Sequence, residues 1–244
     1  MPIPRVIHQV WIGDKLPDNK QALTNSMQIH GFEYRLWGNK DLTQRNFPLM
    51  WPYIQTLQNA KQPISMVVDL MKFEIIYHNG GFYFDVNVEL LRPEALHDFA
   101  INQYLVLCNE KPEIRDFLSC AFFAAAPEHP ALRKVLDHVM KGDLNLKSGF
   151  ANTTTGPYLF YRVLDDKPQH LMLATHEIYP FPPGSKKTCK DCKAVCPDSI
   201  AVDHFELGCT WCARVHAYHY KIAVVCGSAV LIAVLVVMLL YHMT

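Results

Sequence analysis

Strands and helices in alternation, an α/β chain with an apolar span at its C-terminal end, are what this sequence predicts. Three stretches carry the prediction. Residues 65–91, SMVVDLMKFEIIYHNGGFYFDVNVELL, join a helix pattern to a strand pattern through two glycines. Residues 5–13, RVIHQVWIG, read as a buried strand closed by a glycine turn. Residues 222–240 carry no charge and are mostly Val, Leu, Ile and Ala, which suits a helix spanning a bilayer core.

In the central stretch, apolar residues recur at Val67, Leu70, Met71, Ile75 and Tyr77, with Asp69, Lys72 and Glu74 between them. That spacing predicts a helix over residues 66–78 with one buried face. Asn79-Gly80-Gly81 stops it, because glycine tolerates the left-handed backbone that ends helices. Residues 82–90 are aromatic and β-branched, as a strand requires. Side chains alternate on a strand, so Asp85, Asn87 and Glu89 fall on one face and Phe84, Val86 and Val88 on the other. Three oxygen-bearing side chains there suit Mg²⁺ or Mn²⁺, cations that bind through one or two carboxylates and substrate phosphates. A half-buried strand with a solvated acidic face shows the same alternation.

The remaining elements follow in order. Residues 17–29 read as a surface helix or loop and residues 32–37 as a second strand; short helices and loops fill residues 39–54. A further strand is expected at residues 103–109 and another apolar element at 117–126. A helix is expected over residues 130–140, where Leu132, Val135, Leu136 and Val139 share one side. Thr153-Thr154-Thr155-Gly156-Pro157 opens a helical stretch to residue 164, and residues 178–183 form an extended, proline-rich run.

Charge excludes one class of partner. With 23 basic and 23 acidic residues there is no basic excess to attract nucleic acid, and no nucleic-acid module is present. The N-terminus lacks a charged leader followed by a long apolar core, so no secretory signal peptide is expected. The apolar span predicts a membrane-anchored, single-pass chain. Arg214 and Lys221 precede it, which places the large N-terminal part on the cytosolic side. Just before the span, Cys189-x-x-Cys192 and Cys209-x-x-Cys212 flank Cys196. Three readings stay open: a structural Zn²⁺ knuckle first, then disulfides, then free or acylated thiols. Cys108, Cys120 and Cys226 read as small buried hydrophobes.

The cassette Asp69, Lys72, Gly80-Gly81, Tyr83, Asp85 and Asn87 resembles the sugar-binding region of glycosyltransferase family 32. That group includes inositol-phosphoceramide mannosyltransferases and the initiating α-1,6-mannosyltransferase of the Golgi. The family pattern is Asp, two residues, Arg, a helix, Gly-Gly, an aromatic and Asp-x-Asp. Lys72 departs from its arginine and Asn87 from its second aspartate. The start of the first strand with His8, Gln9 and Trp11, the Gly156-Pro157 pair, and His204 ahead of Thr210-Trp211 are similar to the family as well.

The resemblance implies a GT-A-like nucleotide-diphospho-sugar transferase fold over residues 1–187, a Cys-rich closing segment over 188–221 and the membrane helix at 222–240. It implies a metal-assisted, retaining hexosyltransferase that takes GDP-mannose or a UDP-sugar and acts on a lipid-linked or glycan acceptor at a Golgi- or ER-type membrane. Asp85 would meet the metal or ribose, Asn87 the metal, Asp69 a donor hydroxyl and Lys72 a phosphate or sugar oxygen. Glu89 would make up for the missing aspartate. His8, Gln9, Trp11, Gly80, Gly81, Tyr83 and Gly156 would line the donor site; His204 and Trp211 would close over the pyrophosphate, His204 within reach of the cation. The departures leave a second reading: a catalytically decayed domain serving as a membrane-anchored zinc-binding adaptor.

Overall fold

The computed structural model describes residues 1–110, 118–142, 149–164, 170–181 and 192–204. The expected span at 222–240, Trp211, Cys189, Cys209 and Cys212 lie outside them. Among the described residues no helix is long and apolar enough to cross a membrane. In chain order the elements are β1 (Val6–Val10), α1 (Asp18–Asn25), β2 (Glu33–Trp37), a 3₁₀ turn (Asn39–Asp41), α2 (Trp51–Asn59), α3 (Ile64–Asn79), β3 (Gly81–Phe84) and β4 (Val88–Leu90). Then come α4 (Pro93–Asn102), β5 (Leu105–Cys108), β6 (Phe122–Ala125), α5 (Pro130–Met140), α6 (Ala151–Thr154), α7 (Pro157–Val163), β7 (Leu171–Leu173), α8 (Thr175–Ile178), α9 (Cys192–Val195) and β8 (Ala201–Asp203).

A mixed six-stranded sheet in the order β2-β1-β3-β6-β5-β7 forms the centre. β1 runs parallel to both β2 and β3, whereas β6 is antiparallel to β3 and β5. Strand alternation divides the core in two. Tyr83, Phe123 and Ala125 face a helical layer drawn from α2, α3, α5 and α7. Phe82, Phe84, Phe122 and Ala124 face the other side, with Ile7, Met27 and Leu96. β4 leaves the large sheet and pairs antiparallel with β8 in a separate two-stranded ribbon.

Two expectations from the central stretch are corrected. Helix α3 is not buried on one face only. Asp69, Lys72 and Glu74 are buried with their apolar neighbours, because each finds a partner. The Glu74 carboxylate accepts from the backbone N–H groups of Leu49 (2.7 Å) and Met50 (2.9 Å) just ahead of α2, which supplies orphan helix donors with an anion. Residues 82–90 are not one strand either. The chain turns at Asp85, whose carbonyl accepts from Val88 N–H at 3.1 Å, so Asp85 lies outside the strand that carries Glu89. Ile178, expected in an extended run, ends α8 instead.

Gly80 and Gly81 are required by packing. Both have positive φ, +64° and +98°, and a Cβ on Gly81 would sit 2.5 Å from the Val6 carbonyl oxygen on β1. Gly81→Ala is therefore expected to lose at least about 2 kcal/mol through backbone strain and collision with β1. Gly142→Ala is the control, since its φ is +81° with nothing within 4 Å of a new Cβ. Urea unfolding of both variants checks this; equal losses would contradict the packing argument.

Candidate active site

Because β1 and β3 are parallel, their carboxyl ends share one edge of the sheet, where open α/β sheets place their ligands. Asp85 is the first residue past β3 and is half-buried. Four bonds fix it there. Its N–H donates to Ala121 O (2.8 Å), and its carbonyl accepts from Val88 and from Gln9 Nε2 (3.0 Å). Its carboxylate accepts from the Tyr83 hydroxyl at 2.6 Å. Gln9 is itself held by Tyr34, whose hydroxyl donates to Gln9 Oε1 at 2.8 Å.

Beneath Tyr83 lies a buried ion pair. Lys72 Nζ is 2.6 Å from Asp69 Oδ1 and 5.3 Å from the centre of the Tyr83 ring. Thr155 Oγ1 donates to the other Asp69 oxygen at 2.7 Å. Burial alone would lower the Lys72 ammonium, but the charges of Asp69 and then Asp85 outweigh it and hold it above its ordinary value. Burial raises the Asp69 carboxyl, against the pull of Lys72 and Thr155. Burial, followed by the Asp85 charge, also pushes the Tyr83 phenol well up. Tyr83 therefore stays protonated and keeps donating to Asp85.

A second cluster forms where β4 meets β8. Asn87 Nδ2 donates to Asp203 Oδ1 at 2.5 Å, and His204 N–H donates to Asn87 O at 2.9 Å. His204 Nε2 lies 2.9 Å from Glu89 Oε2. Asp203 has no precedent in the sequence reading. It is 4 % exposed, and burial, then the charges of Asp85 and Glu110, push its carboxyl well above the usual range. Only its place beside His204 could have marked it.

Asp85, Asn87, Glu89 and His204 do not close into one coordination sphere. Among the described residues, the metal-capable group of three or more His, Cys, Asp or Glu is Glu89, Cys192 and His204, without Asp85. Cys192 is disulfide-bonded and not a thiolate. The other three cysteines of the expected zinc set, Cys189, Cys209 and Cys212, lie outside the described residues, and Cys196 is free. The chemistry of the donor set suits a hard divalent cation: the Asp85 and Glu89 carboxylates, the Asn87 amide oxygen and the His204 imidazole, of which Glu89 and His204 are brought together at 2.9 Å.

Other residues expected to contact the donor make bonds within the fold. Trp37 Nε1 donates to His8 Nδ1 (3.2 Å), so His8 Nε2 carries the proton and donates to Gly80 O (3.1 Å). Fully buried, His8 has both nitrogens engaged. Gly156 N–H donates to Ala151 O and is not open to a phosphate. Each oxygen of Asp69 already accepts a bond, and Lys72 is 2 % exposed; both support Tyr83 from below. Trp11, half-buried past the end of β1, donates through Nε1 to Asp14 O at 2.7 Å.

Fold and sequence both relate the chain to glycosyltransferases. It is 25% identical over 147 residues to inositol phosphoceramide mannosyltransferase 1 of Schizosaccharomyces pombe, covering 57% of this chain and 43% of that protein. It is 29% identical over 90 residues to inositol phosphoceramide mannosyltransferase 2 of the same organism, covering 35% and 25%. An uncharacterized glycosyltransferase of Acanthamoeba polyphaga mimivirus is 24% identical over 168 residues, covering 65% of this chain and 63% of that one. The chain thus spans less than half the length of the two mannosyltransferases. Among solved structures, the PaToxG glycosyltransferase superposes with a TM-score of 0.50 at 14% identity, covering 68% and 70% of the two chains; that likeness concerns the fold alone. No family model matches.

His8 gives the fold a pH dependence. Burial pushes its imidazole from 6.5 down to about 4, the Gly80 bond opposing and the Arg35 charge adding to the effect. Between those values the unfolded chain takes up a proton that the folded chain refuses. Stability is therefore expected to fall as pH drops through this window, by on the order of 3 kcal/mol. Urea midpoints at pH 7 and pH 4.5 should shift more in the parent than in His8→Gln; equal shifts would contradict the assignment.

Proposed function

We propose that this chain transfers a hexose from a nucleoside-diphosphate sugar to a lipid-linked or glycan acceptor, with retention and with the help of a divalent cation. One observation carries the reading: the buried Thr155–Asp69–Lys72–Tyr83–Asp85 chain of contacts ends on a half-exposed carboxylate at the carboxyl ends of β1 and β3. Mannose, from GDP-mannose, is the first donor, a choice supported by the two mannosyltransferases among the relatives. Residues 1–187 form the catalytic domain and 188–221 its closing segment; the apolar residues 222–240 anchor it in an endomembrane, near a membrane-borne acceptor.

Asp85 and Asn87 would hold Mn²⁺ or Mg²⁺, with Glu89 and His204 available from the β4–β8 ribbon. When bound, the cation supplies Lewis-acid stabilisation of the charge that builds on the departing diphosphate. Tyr83 orients the Asp85 carboxylate and Gln9 holds the Asp85 backbone carbonyl, so little reorganisation is needed as the glycosidic bond breaks. Trp11 offers its ring to the nucleoside base. Asn87 contributes a neutral oxygen where an aspartate would add charge, so cation affinity is set mainly by Asp85 and Glu89.

Incubation with Mn²⁺ and a panel of GDP- and UDP-sugars is expected to release nucleoside diphosphate, and Asp85→Ala to cut the rate by about 100-fold while leaving the melting temperature close to the parent's. Release that is equal in parent and variant, or absent with every donor, would overturn the reading.

A further inference from the structure

The turn after β3 runs from Asp85 to Val88 and is closed by the Val88 N–H on the Asp85 carbonyl at 3.1 Å. Asn87 occupies its third position, so one short turn carries both Asp85 and Asn87. The backbone places the Asn87 amide but leaves it two settings, related by a flip that exchanges oxygen and nitrogen. One of these suits a ligand, because the amide oxygen binds a cation and the NH₂ group does not.

Strand β8 makes the choice. Asp203 is buried, and its Oδ1 accepts from Asn87 Nδ2 at 2.5 Å. The flipped amide would set oxygen against oxygen. Among the described residues the Asn87 side chain makes this one hydrogen bond. Asn87 is half-buried, and its Oδ1 is not a buried unpaired atom, so that oxygen opens outward. Asp203 cannot follow a moving amide. It is paired with Val88 in the β4–β8 ribbon, and its neighbour His204 donates N–H to Asn87 O at 2.9 Å. Ahead of β8, the Arg92 guanidinium donates to Ser199 O (3.1 Å) and Asp198 O (2.8 Å), which ties down the approach to the strand.

Resting on the cation-assisted transferase reading, we propose that Asp203 is a positioning residue: by taking the amide nitrogen of Asn87, it keeps Asn87 Oδ1 as the atom presented to the cation. An aspartate at residue 87 would need no such partner, since both of its terminal atoms are oxygens. An asparagine does. The buried acid of β8 and the amide in the turn thus act as one unit, with Asp203 working through Asn87 as partners behind a metal ligand commonly do.

The test is Mn²⁺ titration of the full chain, read from the electron paramagnetic resonance of the free ion, alone and with GDP or UDP. The variants are Asn87→Ala, Asn87→Asp, Asp203→Leu and Asn87→Asp combined with Asp203→Leu. In the parent, Asp203→Leu should weaken Mn²⁺ binding by about tenfold. In the Asn87→Asp chain, where no amide has to be oriented, the same change should cost nothing or tighten binding. Unchanged binding in Asp203→Leu overturns the assignment, as does an equal loss in both backgrounds, which would make Asp203 a structural or purely electrostatic group. Asp203→Ala repeats the comparison where Asp203→Leu melts well below the parent. A parent that binds no Mn²⁺, or an Asn87→Ala chain that binds it as tightly as the parent, overturns the cation reading and this assignment together. Weaker binding in Asn87→Ala with unchanged binding in Asp203→Leu overturns this assignment alone.

Discussion

The Asp69–Lys72 contact holds an ion pair, with side chains 9% and 3% exposed, in the middle of the helix that packs on the central sheet. Such a pair adds little to stability by itself, since desolvation cancels much of the attraction, but removing one member leaves a buried charge alone. Its effect lies in position. With Thr155 on one carboxylate oxygen and Lys72 on the other, Asp69 has a single orientation, and the ammonium comes to rest over the Tyr83 ring. Tyr83 is then committed to Asp85. A charge that cannot move underneath thus fixes a half-exposed carboxylate at the rim.

That constraint explains how the chain accommodates two unusual residues. An arginine would bring a planar fork needing two acceptors, whereas Lys72 presents a point charge that one Asp69 oxygen satisfies. Asn87 is bound through its amide nitrogen to the protonation-prone Asp203, and that bond joins the Asp85 turn to β8. The β4–β8 ribbon consequently carries Glu89 and His204 to the same region from a different strand. The site is assembled from two structural units, one anchored in α3 and the other in the ribbon.

Much of this was legible from local pattern. The 3.6-residue period gave α5 its span, and the Asn79-Gly80-Gly81 stop marked the passage from α3 into β3. The failures have a common cause. Periodicity describes which residues are apolar and says nothing of partners far along the chain. Glu74 is buried because it caps residues 49 and 50, and Asp69 because Thr155 reaches it, so a helix that looked one-sided is enclosed. Alternation likewise continued the strand through Asp85, although Asp and Asn are turn formers and the pattern there fits a turn equally well. Asp203 was illegible, since its role depends on a bond to Asn87 across the ribbon. Residues 17–29 read as a surface helix or loop, yet α1 buries Lys20 beside Leu23 and Thr24.

Anomalous scattering from crystals of the chain grown with Mn²⁺ and a nucleoside diphosphate addresses the central claim most directly. The account predicts a manganese peak coordinated by the Asp85 carboxylate, with Tyr83 still donating to the other oxygen. A peak held by Glu89 and His204 with Asp85 uninvolved, or an Asp85 side chain rotated away from a bound diphosphate, would contradict it.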